Sequence, residues 1–147
     1  MSTTAVAGVP LGTAADEAER RLTSTLGKPV TDPLPGCYGE TGRSLTWGRL
    51  TAYLSDGAEA GEVVLRGWAV TSVATGPDVK LPFETAVGDS VAEVRAKVPS
   101  SIGETATEGE FAGSYLIRTP RAPSLFWKAP SPTGLVTDVD YMAEGCD

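Results

Sequence analysis

A chain of 147 residues, 41% hydrophobic and 21% charged, carries enough apolar material for one domain, or for two very small ones. Its 12 basic and 19 acidic side chains leave a net charge of -7, with no basic face to neutralise phosphates, so nucleic acid and anionic membrane surfaces are poor partners. His, Asn and Gln are absent, which removes the commonest general base and metal ligand and every side-chain amide, and no apolar run is long enough to span a bilayer.

Residues 1–9 (MSTTAVAGV) have neither a basic n-region nor a long apolar stretch, and read as a flexible N-terminus rather than a signal peptide. From residue 10 onward the chain holds two copies of one pattern. A shift of 76 positions places Gly12, Glu17, Ser24 and Gly27 on Gly88, Glu93, Ser100 and Gly103, with Ala18/Val94, Arg21/Lys97, Leu22/Val98 and Leu26/Ile102 as similar pairs. Each copy opens with a Gly, a capping residue and a short amphipathic helix. In the first, Thr13-x-x-Asp16 is expected to cap, with Ala15, Ala18 and Leu22 facing inward, while Asp16, Glu17 and Glu19 oppose the helix dipole. In the second, Ser90-x-x-Glu93 forms a capping box, Val91, Val94 and Val98 face inward, and Pro99 stops the helix.

Strand-like alternation follows each helix. Residues 44–55 (SLTWGRLTAYLS) read as two short strands with a turn or bulge at Gly48, Asp56-Gly57 is a turn signal, and residues 62–73 form a third strand. In the second half, residues 114–118, 124–128 and 135–142 alternate between Pro- and Gly-rich loops. The fold class is therefore α+β, a helix plus three antiparallel strands, twice, with the sheets joined into one curved surface. The boundaries are 10–74 for repeat 1, 75–82 for a linker (TGPDVKLP) and 83–147 for repeat 2, the repeats forming one structural unit.

This tandem, with VGDSVAEVRAKV as its most specific stretch and Cys37 in a first-copy loop, resembles the β-lactamase-inhibitory protein architecture over most of residues 9–147. The resemblance implies two sheets lying edge to edge, helices behind, and an aromatic-rich face that grips a protein partner. The same half-repeat resembles small bacterial outer-membrane lipoproteins that assist barrel assembly. The chain departs from the inhibitor family in having two Cys where that family tends to close a disulfide within each copy, and no residue matched here carries over lactamase inhibition.

No phosphate loop, metal-binding spacing or nucleophile with a base occurs, so no cofactor, no metal and no catalytic residue is expected and the chain reads as a non-enzyme. Cys37, in a Pro-Gly-Cys turn, and Cys146, the penultimate residue, are too far apart for a zinc or redox motif. Paired, they would tie the tail to the first half and place the protein outside the cytoplasm. The alternative is two free thiols in a reducing cytosol. Asp138 and Asp140 alternate on one face of a strand and read as a solvated face, with a hard-cation site as the lesser alternative.

The aromatics carry the functional expectation. Trp47, Tyr53, Trp68, Tyr115, Phe126, Trp127 and Tyr141 all lie in expected strands, and two small helices cannot cover all of them. About half should be core; Trp47, Tyr53, Trp127 and Tyr141 are expected to form an exposed patch flanked by Arg49, Arg66 and Arg118, the composition of a binding hot spot. The expected function is an extracytoplasmic module, secreted or lipid-anchored, monomeric or weakly dimeric, that presents this face to a protein or cell-envelope partner. The alternative is a structural domain of a bacterial envelope lipoprotein.

Overall fold

The computed structural model describes residues 1–2, 4–34, 42–57, 61–73, 75–121 and 125–142. Cys37 and Cys146, and with them the expected disulfide, lie outside the described residues. Two helices form where amphipathic spacing places them: α1, Ala15–Leu26, buries Ala15, Ala18 and Leu22, and α2, Val91–Lys97, buries Val91 and Val94. The capping box of α2 forms in full, Ser90 Oγ accepting from the Glu93 amide while the Glu93 carboxylate accepts from the Ser90 amide. At α1 the expected cap is corrected. Ala14 occupies the N-cap with no side-chain bond, and the Thr13 hydroxyl turns back to donate to the Pro10 carbonyl at 2.7 Å. The Gly12 and Thr13 backbone is engaged instead by a strand, through bonds with Leu65, and this fixes the chain before the helix begins.

Ten strands are present among the described residues. A small hairpin joins β1 (Ala5–Val6) to β2 (Val9–Pro10). The others are β3 (Val30–Pro33), β4 (Arg43–Trp47), β5 (Leu50–Asp56), β6 (Val63–Thr71), β7 (Ile102–Thr105), β8 (Tyr115–Arg118), β9 (Leu125–Ala129) and β10 (Asp138–Met142). They form one antiparallel sheet in the order β3-β4-β5-β6-β10-β9-β8-β7. Four strands thus follow each helix where three are expected. The additional ones, β3 and β7, are the two sheet edges: short, exposed and polar, with Pro33 in one, as edge strands commonly are.

Both helices pack against the same face of this sheet, and a single core runs beneath them from Leu45 and Leu50 through Trp68 and Val139 to Trp127 and Ile117. A bulge in β6 decides which residues reach it. Tyr53 pairs with Gly67 but Leu54 pairs with Leu65, so Arg66 is the extra residue, and Leu65 and Trp68 are buried on one side despite their odd spacing. Near the N-terminus, Val6 and Val9 are buried in the core and the Trp68 indole donates to the Ser2 carbonyl at 3.0 Å. The buried Trp127 indole likewise donates to Thr85 Oγ1 at 3.0 Å, and the Trp47 indole donates to the Gly27 carbonyl behind α1 at 2.7 Å. Each tryptophan thereby fastens one non-sheet segment to the core. No helix among the described residues is long and apolar enough to cross a membrane.

Candidate functional site

With both helices on one face, the other face of the sheet is the surface the fold leaves for contact. One row crosses all eight strands on it: Val30, Thr46, Thr51, Ala69, Asp140, Phe126, Arg118 and Ile102, each the cross-strand partner of the next. Beside it lies a second run of partners, Thr71, Asp138, Lys128, Leu116 and Glu104. Around the centre the face is small and hydroxylated. Thr46 and Thr51 share a hydroxyl hydrogen bond of 3.1 Å, while Gly67 and Ala69 are buried.

The β9 and β10 side of the face is charged and partly covered. Lys128 pairs with Asp138 at 3.0 Å, and Asp138 also accepts from the Thr137 hydroxyl at 2.6 Å. Asp140 is half-buried at the middle of the sheet, and its Oδ1 is out of reach of water without a hydrogen-bond partner. Burial, reinforced by Glu110 and Asp138, pushes its carboxyl up to about 7. Tyr53, across β6, has its phenol raised by burial and by the same carboxylates, Asp140, Glu110 and Asp138. Glu110 and Phe111 come from the turn between β7 and β8, and the Lys128 ammonium lies 5.6 Å from the Phe111 ring centroid. Among the described residues no group of three Cys, Asp or Glu could hold a metal ion.

The expected aromatic patch is corrected by this arrangement. Trp47, Trp68, Trp127 and Tyr141 are all buried on the helix side, and Trp68 stacks on Tyr141 there. Tyr115 is half-buried against the same core. Of the expected binding residues, Tyr53 and Arg118 reach the open face, where Arg118 pairs with Glu104 at 3.1 Å. Arg49 sits in the β4–β5 turn, its amide bonded to the Thr75 carbonyl, and Arg66 occupies the bulge. The difference is one of strand parity. In the stretch Leu125-Phe126-Trp127 the outer two share the core side and Phe126 faces out, and Trp47 follows Leu45 inward in the same way. Asp138 and Asp140 do share a face, but it is an ion-paired and partly buried one. Glu110, Phe111 and Lys128 are additions from the structure; only Lys128, alternating in its strand, left a trace in the sequence.

Elsewhere, Asp16 and Glu19 at the start of α1 both bind Arg43 on β4, at 3.2 and 2.7 Å, while Glu17 pairs with Arg20 along the helix. A cavity of about 280 Å³ lies where the linker packs on the end of β6, lined by Arg49, Thr71, Val79 and Leu81 among others. No protein-family model, curated protein or solved structure matches the chain.

Proposed function

We propose that the chain is a non-enzymatic binding module whose contact surface is the helix-free face of the sheet. The observation that carries this is the placement of both helices on one side of eight strands, which leaves a row of eight cross-strand partners, from Val30 to Ile102, without a covering layer of secondary structure. The face is hydroxylated at its centre, offers Tyr53 and Phe126 as apolar anchors, and carries Asp138, Asp140, Glu104 and Glu110 against Lys128 and Arg118. Its chemistry suits a protein partner with a basic contact patch. The aromatic anchors of the reading are thus Tyr53 and Phe126 in place of the tryptophans.

The same reading takes the chain as a duplicated helix-plus-sheet unit placed outside the cytoplasm. Gly12 and Gly88 support the duplication. Gly12 donates its amide to Leu65 in β6 and Gly88 to Val136, two residues before β10, and β6 and β10, the final strands of the two halves, pair at the centre of the sheet.

Site-specific photo-crosslinkers test it in the producing cells. A crosslinker at Thr51 or Thr71 is expected to trap one protein, and one at Arg20 or Ala96 on the outer helix surfaces is expected to trap none. Adducts formed from the helix positions and not from Thr51 or Thr71 would overturn the assignment of the face.

A further inference from the structure

We propose that residues 106–114, the turn between β7 and β8, are a strap that covers the β8–β10 part of the open face while Asp140 is protonated and lifts when that carboxylate ionises. This rests on the reading of that face as the binding surface and assigns its regulation. The burial of Leu116 supports such a cover. Its side chain points away from the helix-side core, opposite Lys128 and Glu104, yet it is only 8% exposed. The strap is anchored at its base, where Ala106 donates to the Ser114 carbonyl and Gly113 donates to the Ala106 carbonyl, and it reaches inward with Phe111 toward Lys128.

The charges around Asp140 make this closure conditional. Glu110 on the strap and Asp138 on its own strand raise its carboxyl, Lys128 on β9 lowers it, its charge in turn raises the Tyr53 phenol on β5, and its β6 partner is Ala69. Lys128 is the one cation in that set, and Asp138 already holds it at 3.0 Å. A neutral Asp140 tolerates the exposed Glu110 carboxylate beside it. An ionised one adds a third negative charge with a buried oxygen that lacks a partner. Lifting the strap returns that oxygen to water and separates the carboxylates, so opening releases a proton and is favoured by rising pH. The closed form binds the proton more tightly than the open form. The open fraction therefore grows between the ordinary carboxylate range and about pH 7, and levels off above it.

Fluorine NMR on the full chain labelled with 4-fluorophenylalanine reads the strap without any partner, since Phe83, Phe111 and Phe126 give three resonances. The solvent-isotope shift of Phe111 reports its exposure. In the wild type it is expected to rise from pH 5 to pH 8, with the closed-to-open ratio falling at least about tenfold. Asp140→Asn, which mimics the neutral carboxyl, should hold the closed value throughout. Glu110→Gln, on the exposed tip, should weaken the response and keeps the test alive if the buried variant folds poorly. A Phe111 exposure that is flat with pH, or one that still titrates fully in Asp140→Asn or in Glu110→Gln, overturns the strap. Failure of the crosslinks at Thr51 and Thr71 with a normal Phe111 titration removes the binding reading instead.

Discussion

Trp68 and Tyr141 face each other across the β6–β10 seam, their ring centroids 6.2 Å apart and their planes 24° from parallel. They are the direct register partners at the line where the two halves of the sheet meet, and both are buried. The seam is made of complete cross-strand pairs, Trp68 with Tyr141 and Val70 with Val139, so the halves share one core rather than touching at a rim.

Truncating this pair should therefore unfold both halves together. Trp68→Ala removes one of the two fully buried indoles and the donor to Ser2, and is expected to cost about 3–5 kcal/mol in one cooperative transition. Tyr141→Phe keeps the ring and should cost less than about 1 kcal/mol. Urea unfolding followed by Trp fluorescence and by far-UV circular dichroism checks both. Two separated transitions in Trp68→Ala would mean that the halves fold independently.

The two helix starts give a matched comparison. Ser90→Ala removes the hydroxyl arm of a formed capping box, the bond from the Glu93 amide, and is expected to cost about 1 kcal/mol. Thr13→Ala loses one exposed bond to Pro10 and should stay within about 0.5 kcal/mol of wild type. Equal losses in the two variants, measured by urea denaturation, would restore Thr13 as a cap.

This contrast also marks what the sequence could reveal. Ser90, Glu93 and the Val91/Val94/Val98 stripe state a helix locally, within one turn of chain, and the structure contains it as read. Which of Phe126 and Trp127 faces the helices is not a local property, because a strand has two apolar-capable sides and only the register against β10 and β8 chooses between them. Arg66 shows the same limit: an extra residue reverses the parity of everything before it, and no pattern in EVVLRGWAV announces it. The edge strands β3 and β7 leave no signal in the sequence, because they carry no apolar alternation. Glu110 joins Asp140 from thirty positions away across a turn, a proximity no spacing rule supplies.

Gly76 and Gly48 hold the linker against the β4–β5 turn by backbone contact. A Cβ at Gly76 would lie 2.6 Å from the Arg49 amide nitrogen and 2.8 Å from the Trp47 carbonyl oxygen, at a φ of +130°. Neither obstacle is a flexible side-chain end, so Gly76→Ala must shift the linker or the turn and is expected to cost more than about 2 kcal/mol. Gly8, with a φ of +81° and open space around it, bears only the conformational cost, about 1 kcal/mol for Gly8→Ala. Thermal unfolding of the two variants side by side measures the difference. Equal melting temperatures would remove the close approach as a constraint.

Asp140 gives the stability of the whole molecule an unusual pH profile. Its carboxyl, raised by burial to about 7, binds a proton more tightly in the folded chain than in the unfolded one. Stability on its account is therefore full below the ordinary carboxylate value, declines as pH rises toward 7, and is constant above. Asp89, Glu93 and Glu17 act oppositely. Asp89 is held below its ordinary range by hydrogen bonds and charge from Lys97 and the Ala86 amide that outweigh its burial, Glu93 by bonds from Ser90, and Glu17 by a bond from Arg20, so their contribution is lost as pH falls through the acid range. The two trends oppose each other, the first weakening the fold as pH rises toward 7 and the second as pH falls through the acid range. Asp140→Asn should raise stability at pH 8 by roughly 2–4 kcal/mol and by much less at pH 5, since the ionised carboxylate no longer has to be accommodated. Urea midpoints of the two proteins at pH 5 and pH 8 decide the matter. A variant that is equally destabilised at both values would show that the carboxyl serves by shape alone and that its charge has no part in the pH profile.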